Sequence, residues 1–196
     1  MGAHQQLQAF FHDPQPDSAK ARRRLERALE LVEQTAEEAR RVIADLRPTT
    51  LDDFGLATAV RAQVEELRAD GWEVTYDEAL GEERLPAQIE TALYRVAREA
   101  LWNARKYAET TRVDIALERR GEKVHLEVRD FGRGFDPSAV SGDGGPGERV
   151  GLSSMRERIA LLGGDFELRS RVGEGTTVVA EVPLPTPDGG DTGHAG

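Results

Sequence analysis

Apolar residues recur every three or four positions along an otherwise polar N-terminal stretch. Between residues 19 and 46 there is neither Gly nor Pro, and Leu25, Leu29, Val32, Ala36, Ala39, Ile43 and Leu46 mark one seam. That spacing predicts a helix about 42 Å long at 1.5 Å per residue, carrying the seam of a coiled coil or bundle. So polar a helix has few core partners of its own, which favours association over packing on its own domain. Pro48 cannot continue it, so a break is expected there. Residues 55–70 read as a second helix, which Asp52 or Asp53 can cap, and residues 72–77 as a short strand.

A third helix is predicted from about Pro86 to Ala108, with proline acceptable in the first turn. Leu93, Val96, Ala97, Ala100, Leu101 and Ala104 form its apolar stripe, suited to lie against a sheet. Residues 112–118 and 123–130 alternate apolar and polar around Arg120-Gly121, the pattern of a hairpin. A glycine-rich run over residues 141–150 precedes a helix at 152–162, ended by Gly163-Gly164, and strands near 165–171 and 175–182. The expected fold is α/β (α+β), a two-layer sandwich of helices on one face of a mixed sheet, behind a long helix. Residues 1–50 read as a partial helical hairpin and 51–184 as the folded domain; the Pro-, Gly- and Asp-rich residues 185–196 read as a disordered tail.

Composition narrows the class. With 196 residues and 38% hydrophobic content the chain can bury one core and carry an extension. Zero cysteines exclude disulfides and cysteine metal sites. A formal net charge of -10 argues against direct nucleic-acid binding. No run approaches the roughly 20 apolar residues of a membrane span, so a cytoplasmic location is expected, although a parent protein could be membrane-anchored.

On the third helix, Glu99, Asn103 and Lys106 stand at i, i+4 and i+7, one stripe of carboxylate, amide and ammonium. Taken alone, such a stripe is most often a solvated surface. It is also what a magnesium-bound triphosphate needs: oxygen ligands for a hard cation and a positive charge for phosphates. Downstream, Asp130-Phe131-Gly132-Arg133-Gly134 puts an aspartate at a strand end before two spaced glycines, which let backbone approach a flat ligand. The carboxylate can accept a hydrogen bond from an exocyclic amine such as that of adenine. The glycine-rich run, with Gly147, then closes on Val150-Gly151-Leu152, where a helix start would offer backbone N–H groups to an anion. Gly173 to Val178, with Gly175 and Thr176, joins two strands.

These four elements, in this order, resemble the ATP-binding domain of sensor histidine kinases within the GHKL superfamily. The resemblance implies ATP and Mg²⁺ as cofactors. Asn103 and Glu99 would hold the metal, and Lys106 would contact the phosphates. Asp130 would read the adenine amine, supported by Thr176. Glu99 would act as a base or polarise the nucleophile, and Asn103, Lys106, Tyr107, Asp130, Gly132, Gly134, Gly147, Val150, Gly151, Leu152, Gly175 and Thr176 would line the nucleotide. Tyr107 stands where the family usually has histidine, and Phe131 where it has Asp or Asn. Leu46-Arg47-Pro48 and the residues after it are similar to the junction of the nitrate-sensor and desaturase-sensor subfamily.

That subfamily implies a homodimer through residues 19–46, a response-regulator receiver domain as partner, and γ-phosphoryl transfer to a histidine and on to an aspartate. Gln5-Gln6-Leu7 looks like the tail of the phosphoacceptor motif, whose histidine would fall at or before Gly2. His12-Asp13 reproduces the dipeptide, but Pro14 and Pro16 would break the helix it needs. His4 sits too late, His125 falls in a strand and His194 in the tail. The expectation is a sensor kinase cut inside its first dimerisation helix, binding Mg-ATP without phosphorylating itself. A natural chain with the same behaviour, an anti-sigma-type serine kinase and a nucleotide-gated docking module for a response regulator are the alternatives.

Overall fold

The computed structural model describes residues 22, 23, 25–28, 32, 49–138 and 146–185. Most of the 19–46 seam, His4, His12, His194, the glycine-rich run before Pro146 and the tail from residue 186 lie outside the described residues. The chain divides into two compact units, Met1–Arg47 and Pro48–Gly196. In the first, the described residues are helical, with Arg22 Nε 3.6 Å from Glu26 Oε1 one turn on.

In the second unit, α1 (Thr49–Ala69), β1 (Glu73–Ala79), α2 (Ala87–Tyr107), β2 (Arg112–Arg120), β3 (Lys123–Asp130), α3 (Pro146–Ala160), β4 (Asp165–Arg171) and β5 (Gly175–Pro183) follow one another. The strands form one sheet in the order β1-β2-β3-β5-β4, with β1 parallel to β2 and every other pair antiparallel. The sheet is therefore mixed, and helices cover one side of it, as the alternation predicts. Val113, Ile115 and Leu117 of β2, Val124, Leu126 and Val128 of β3, and Val178, Ala180 and Val182 of β5 point into the core. The expected stripe of α2 meets them, with Leu93 and Val96 fully buried. Burying each such side chain contributes about 1.5–3 kcal/mol. Among the described residues no helix is long and apolar enough to cross a membrane.

Two boundaries differ from the pattern. Helix α1 begins at Thr49 rather than 55 and kinks at Gly55, whose φ of 81° and ψ of 179° are not helical. The kink strands carbonyls that helical bonds would have taken. Arg84 takes them instead: Nη2 donates to Leu51 O at 3.1 Å and to Asp52 O at 3.3 Å. The same guanidinium binds Glu90 of α2 with Nε to Oε1 and Nη2 to Oε2, both at 3.0 Å, and Glu90 is 1% exposed. Helix α3 likewise starts at Pro146, not 152, because proline's fixed φ suits a first turn.

The sheet face away from the helices is polar. There His125, 3% exposed, has Nδ1 3.0 Å from Glu181 Oε1, and this hydrogen bond holds the Glu181 carboxyl below its ordinary range, with Lys123 and Arg120 adding attraction. A carboxylate whose folded value is depressed stabilises the fold above its unfolded value and loses that contribution as pH falls through the folded one. Glu181→Gln should therefore flatten the acid limb of stability against pH, measured by urea unfolding from neutral to acid pH; an unchanged limb would show that this carboxylate is not linked to folding. Arg84→Ala removes the bidentate partner of a buried carboxylate and should cost about 2–4 kcal/mol in urea unfolding. A loss under about 0.5 kcal/mol, the scale of an ordinary surface substitution, would mean the kink is held by other contacts.

Candidate functional site

A cavity of about 490 Å³ opens between α2, the ends of β3, β4 and β5, and the loop after β3. Ala100, Asn103, Ala104, Tyr107 and Ala108 reach it from α2 and its cap, at the i, i+3, i+4, i+7 and i+8 spacing of one helical stripe. Alanines on that stripe leave room above the helix, while Val128, Leu168 and Val178 wall the space with apolar surface. The result is an apolar slot with polar groups at its edges: Asn103, Tyr107, Asp130, Arg133, Asp136 and Thr176. Such a lining suits a flat, largely apolar ring with a few polar edges.

Asp130 ends β3 and is 7% exposed. Gly132 N donates to its Oδ1 at 2.9 Å, and Thr176 N, opposite it in the β3–β5 register, donates to the same oxygen at 3.2 Å. Among the described residues both hydrogen bonds to this carboxylate fall on Oδ1, which leaves Oδ2 to accept from a ligand. Gly132 is dictated by packing, since a Cβ there would stand 2.1 Å from Ala108 O, the carbonyl that accepts from Arg133 N at 2.8 Å. Gly134 has a φ of 57° and would put a Cβ 2.1 Å from Arg171 O. The loop thus closes tightly onto the cap of α2 on one side and the β4–β5 turn on the other.

Of the residues singled out in the sequence, Asn103, Tyr107, Asp130, Gly134, Leu152 and Thr176 line this one cavity. Gly132 and Gly175 lie behind Asp130, and a Cβ at Gly175 would stand 2.1 Å from Asp130 O. Glu99 and Lys106 do not line the cavity. The helix carries two adjacent stripes that share Asn103. Glu99 is half-buried beside α3, where a Cβ at Gly151 would come 2.2 Å from its Oε1, so the glycine admits the carboxylate. Lys106 is exposed, its Nζ 5.0 Å from the centroid of the Tyr107 ring. Gly147, Val150, Gly151 and Leu152 all fall within α3, so the first-turn N–H groups the helix would offer begin at Gly147, after Pro146, rather than at Gly151. Phe131, the departure from the family pattern, stands between guanidiniums, 4.3 Å from Arg112 and 4.7 Å from Arg129 to the ring centroid.

Several lining residues escape the motif reading: Arg133, Phe135, Asp136, Leu168 and Val172. So does Ser170, which bonds Phe135 N, Gly175 O and Thr176 Oγ1 behind the slot. Its signal was present in the alternation of β4, where Ser170 takes the inward position after Phe166 and Leu168.

Among the described residues no group of three or more His, Cys, Asp or Glu side chains could hold a metal. Asn103 on the cavity wall offers an amide oxygen, a donor type compatible with a hard cation such as Mg²⁺ that takes its other oxygens from water and phosphate.

The model of the histidine kinase-, DNA gyrase B- and HSP90-like ATPases matches residues 88–186. The oxygen sensor histidine kinase NreB of Staphylococcus carnosus is 36% identical over 149 residues, 76% of this chain and 42% of its own length. The signal transduction histidine-protein kinase/phosphatase DegS of Brevibacillus brevis is 31% identical over 181 residues, 92% of this chain and 45% of its own length. The chain thus spans under half the length of these curated relatives. In fold it is similar to the histidine kinase domain of the blue-light activated histidine kinase of Erythrobacter litoralis, with a TM-score of 0.55 at 19% identity over 93% of this chain and 94% of that one. The catalytic domain of histidine kinase ThkA gives a TM-score of 0.53 at 21% identity, over 66% of this chain and 90% of that one. The chain therefore belongs to the histidine kinase-, DNA gyrase B- and HSP90-like ATPase family, as the ATPase domain of a sensor histidine kinase.

Proposed function

We propose that residues 51–184 form the Mg-ATP-binding catalytic region of a two-component kinase. It delivers the ATP γ-phosphoryl group to a histidine on a dimerisation helix, from which the group passes to an aspartate of a response regulator. The observation that carries this reading is Asp130, its carboxylate pinned through Oδ1 beside an apolar slot whose rim holds Asn103. In this reading Asp130 Oδ2 accepts from the adenine amine, while Gly132 and Gly134 hold the loop clear of the ring. Asn103 ligates Mg²⁺, which supplies charge neutralisation to the phosphates when bound. Lys106 reaches the phosphates from its exposed position and Tyr107 borders them. The first-turn N–H groups of α3 at Gly147 meet an anion, and Val150 with Gly151 continues that wall. Glu99, one turn before Asn103, orients or deprotonates the incoming nucleophile.

Residues 1–50 supply part of a dimerising helical hairpin, with 19–46 as its seam, and residues 185–196 are a tail. The domain works in the cytoplasm. His125, the one histidine among the described residues, is 3% exposed in β3 and bonded to Glu181, which makes it unfit as phosphoacceptor. The acceptor histidine thus comes from another segment, and this chain binds Mg-ATP without labelling itself.

Asn103→Asp sets an additional negative charge against the phosphates and should abolish Mg-ATP binding in calorimetry, with circular dichroism unchanged; binding equal to wild type would sink the site assignment. For transfer, this chain is mixed with radiolabelled ATP and a longer, histidine-bearing version carrying Asn103→Asp. Label should appear on the longer chain only. An unlabelled histidine in confirmed mixed dimers would leave a nucleotide-gated docking module as the better reading.

A further inference from the structure

Behind the slot, Ser170 Oγ makes three contacts at 3.0 Å: with Phe135 N, Gly175 O and Thr176 Oγ1. A serine hydroxyl has one proton and two lone pairs. Phe135 N can only donate and Gly175 O can only accept. All three contacts are hydrogen bonds together in a single arrangement, in which Ser170 accepts from Phe135 N, donates to Gly175 O and accepts from the Thr176 hydroxyl. That arrangement uses the only proton of Thr176. Thr176 lines the cavity, and its hydroxyl then offers lone pairs alone to whatever lies there.

We propose that Ser170 is a positioning residue: by taking the Thr176 proton it fixes that hydroxyl as an acceptor, and so makes the slot select a 6-amino purine over a 6-oxo purine. The inference rests on the slot being the nucleotide site and deepens that reading. The neighbouring group is Asp130, which accepts from Thr176 N on Oδ1, so the edge of the slot meets the base with two acceptors. An exocyclic amine answers both, having two N–H donors, whereas a 6-oxo group brings lone pairs against lone pairs. Without Ser170 the Thr176 hydroxyl is free to rotate and donate to that oxygen, and the discrimination falls.

The test compares Mg-ATP with Mg-ITP, which differ at the 6-position and N1 only, by calorimetry on the whole chain. Mere loosening of the site would weaken both nucleotides alike, so the readout is the ratio of the two affinities. Ser170→Ala should lower the ATP:ITP ratio by about fivefold to tenfold, the weight of one hydrogen bond, while Ser170→Thr, which keeps the hydroxyl, should preserve it. Because Ser170 acts through Thr176, Ser170→Ala should leave the ratio unchanged when added to Thr176→Val. The inference is overturned by a wild-type ratio in Ser170→Ala, or by an equal fall in the Thr176→Val background. Should Ser170→Ala fail to fold, Thr176→Val alone decides: its ratio must drop, and an unchanged ratio overturns the proposal. Wild-type chain that binds no Mg-ATP refutes the nucleotide reading itself, a result distinct from binding without a shift in the ratio.

Discussion

The Asp130 carboxylate, buried at the end of β3, is the point on which the site is built. Its Oδ1 accepts from Gly132 N, two residues ahead in the same chain, and from Thr176 N, across the sheet on β5. Burying a carboxylate is costly unless hydrogen bonds answer it. These two answer it by drawing the loop after β3 and the start of β5 together around a single oxygen. Gly132 and Gly175 follow from the same constraint, since a side chain at either would collide with Ala108 O or Asp130 O. Ser170 completes the cluster from the next strand, tying Phe135 and Thr176 to the β4–β5 turn. The loop after β3 and the start of β5 thereby meet at one carboxylate, and the end of β4 joins them through Ser170.

A second buried carboxylate, Glu90 at the start of α2, does the corresponding work at the far end of the helix. Arg84 joins it to the carbonyls of Leu51 and Asp52, beside the Gly55 kink in α1. The helix that carries Asn103 is thus fixed at its N-terminal end to the segment following Pro48, and at its C-terminal end to the glycine loop through Ala108 O. Attachment at both ends fixes where Asn103 stands on the wall of the cavity that Asp130 also lines. In the proposed reading, metal and base recognition then both depend on one helix lying in one place.

The legibility of this protein differed by the range of the interaction. Alternation in residues 112–130 and 165–183 was readable because a strand's faces are set by local geometry, and the structure follows it nearly to the residue. The stripe from Leu93 to Ala104 was readable for the same reason. The kink at Gly55 was not, since what tolerates it is a guanidinium 29 residues on, at Arg84. The start of α3 was misplaced because glycine-rich composition argues for a loop while Pro146 in a first turn is equally compatible with helix. Glu99, Asn103 and Lys106 share a stripe, yet only Asn103 lines the cavity, because α2 turns its alanine edge to the slot and its Glu99 edge to α3.

The sequence by itself determined the element order, the buried stripe of α2, and the ordered motifs from Glu99 to Thr176 that mark an ATP-binding kinase domain. Periodicity and turn chemistry are properties of neighbouring residues and need no fold to be read. Only the tertiary structure decided which side chains share one cavity, that both bonds to Asp130 fall on Oδ1, and that Ser170 stands behind Thr176. Those facts join β3, β4 and β5 across as many as 46 residues of chain, and hydrogen-bond direction is fixed only once the partners' positions are.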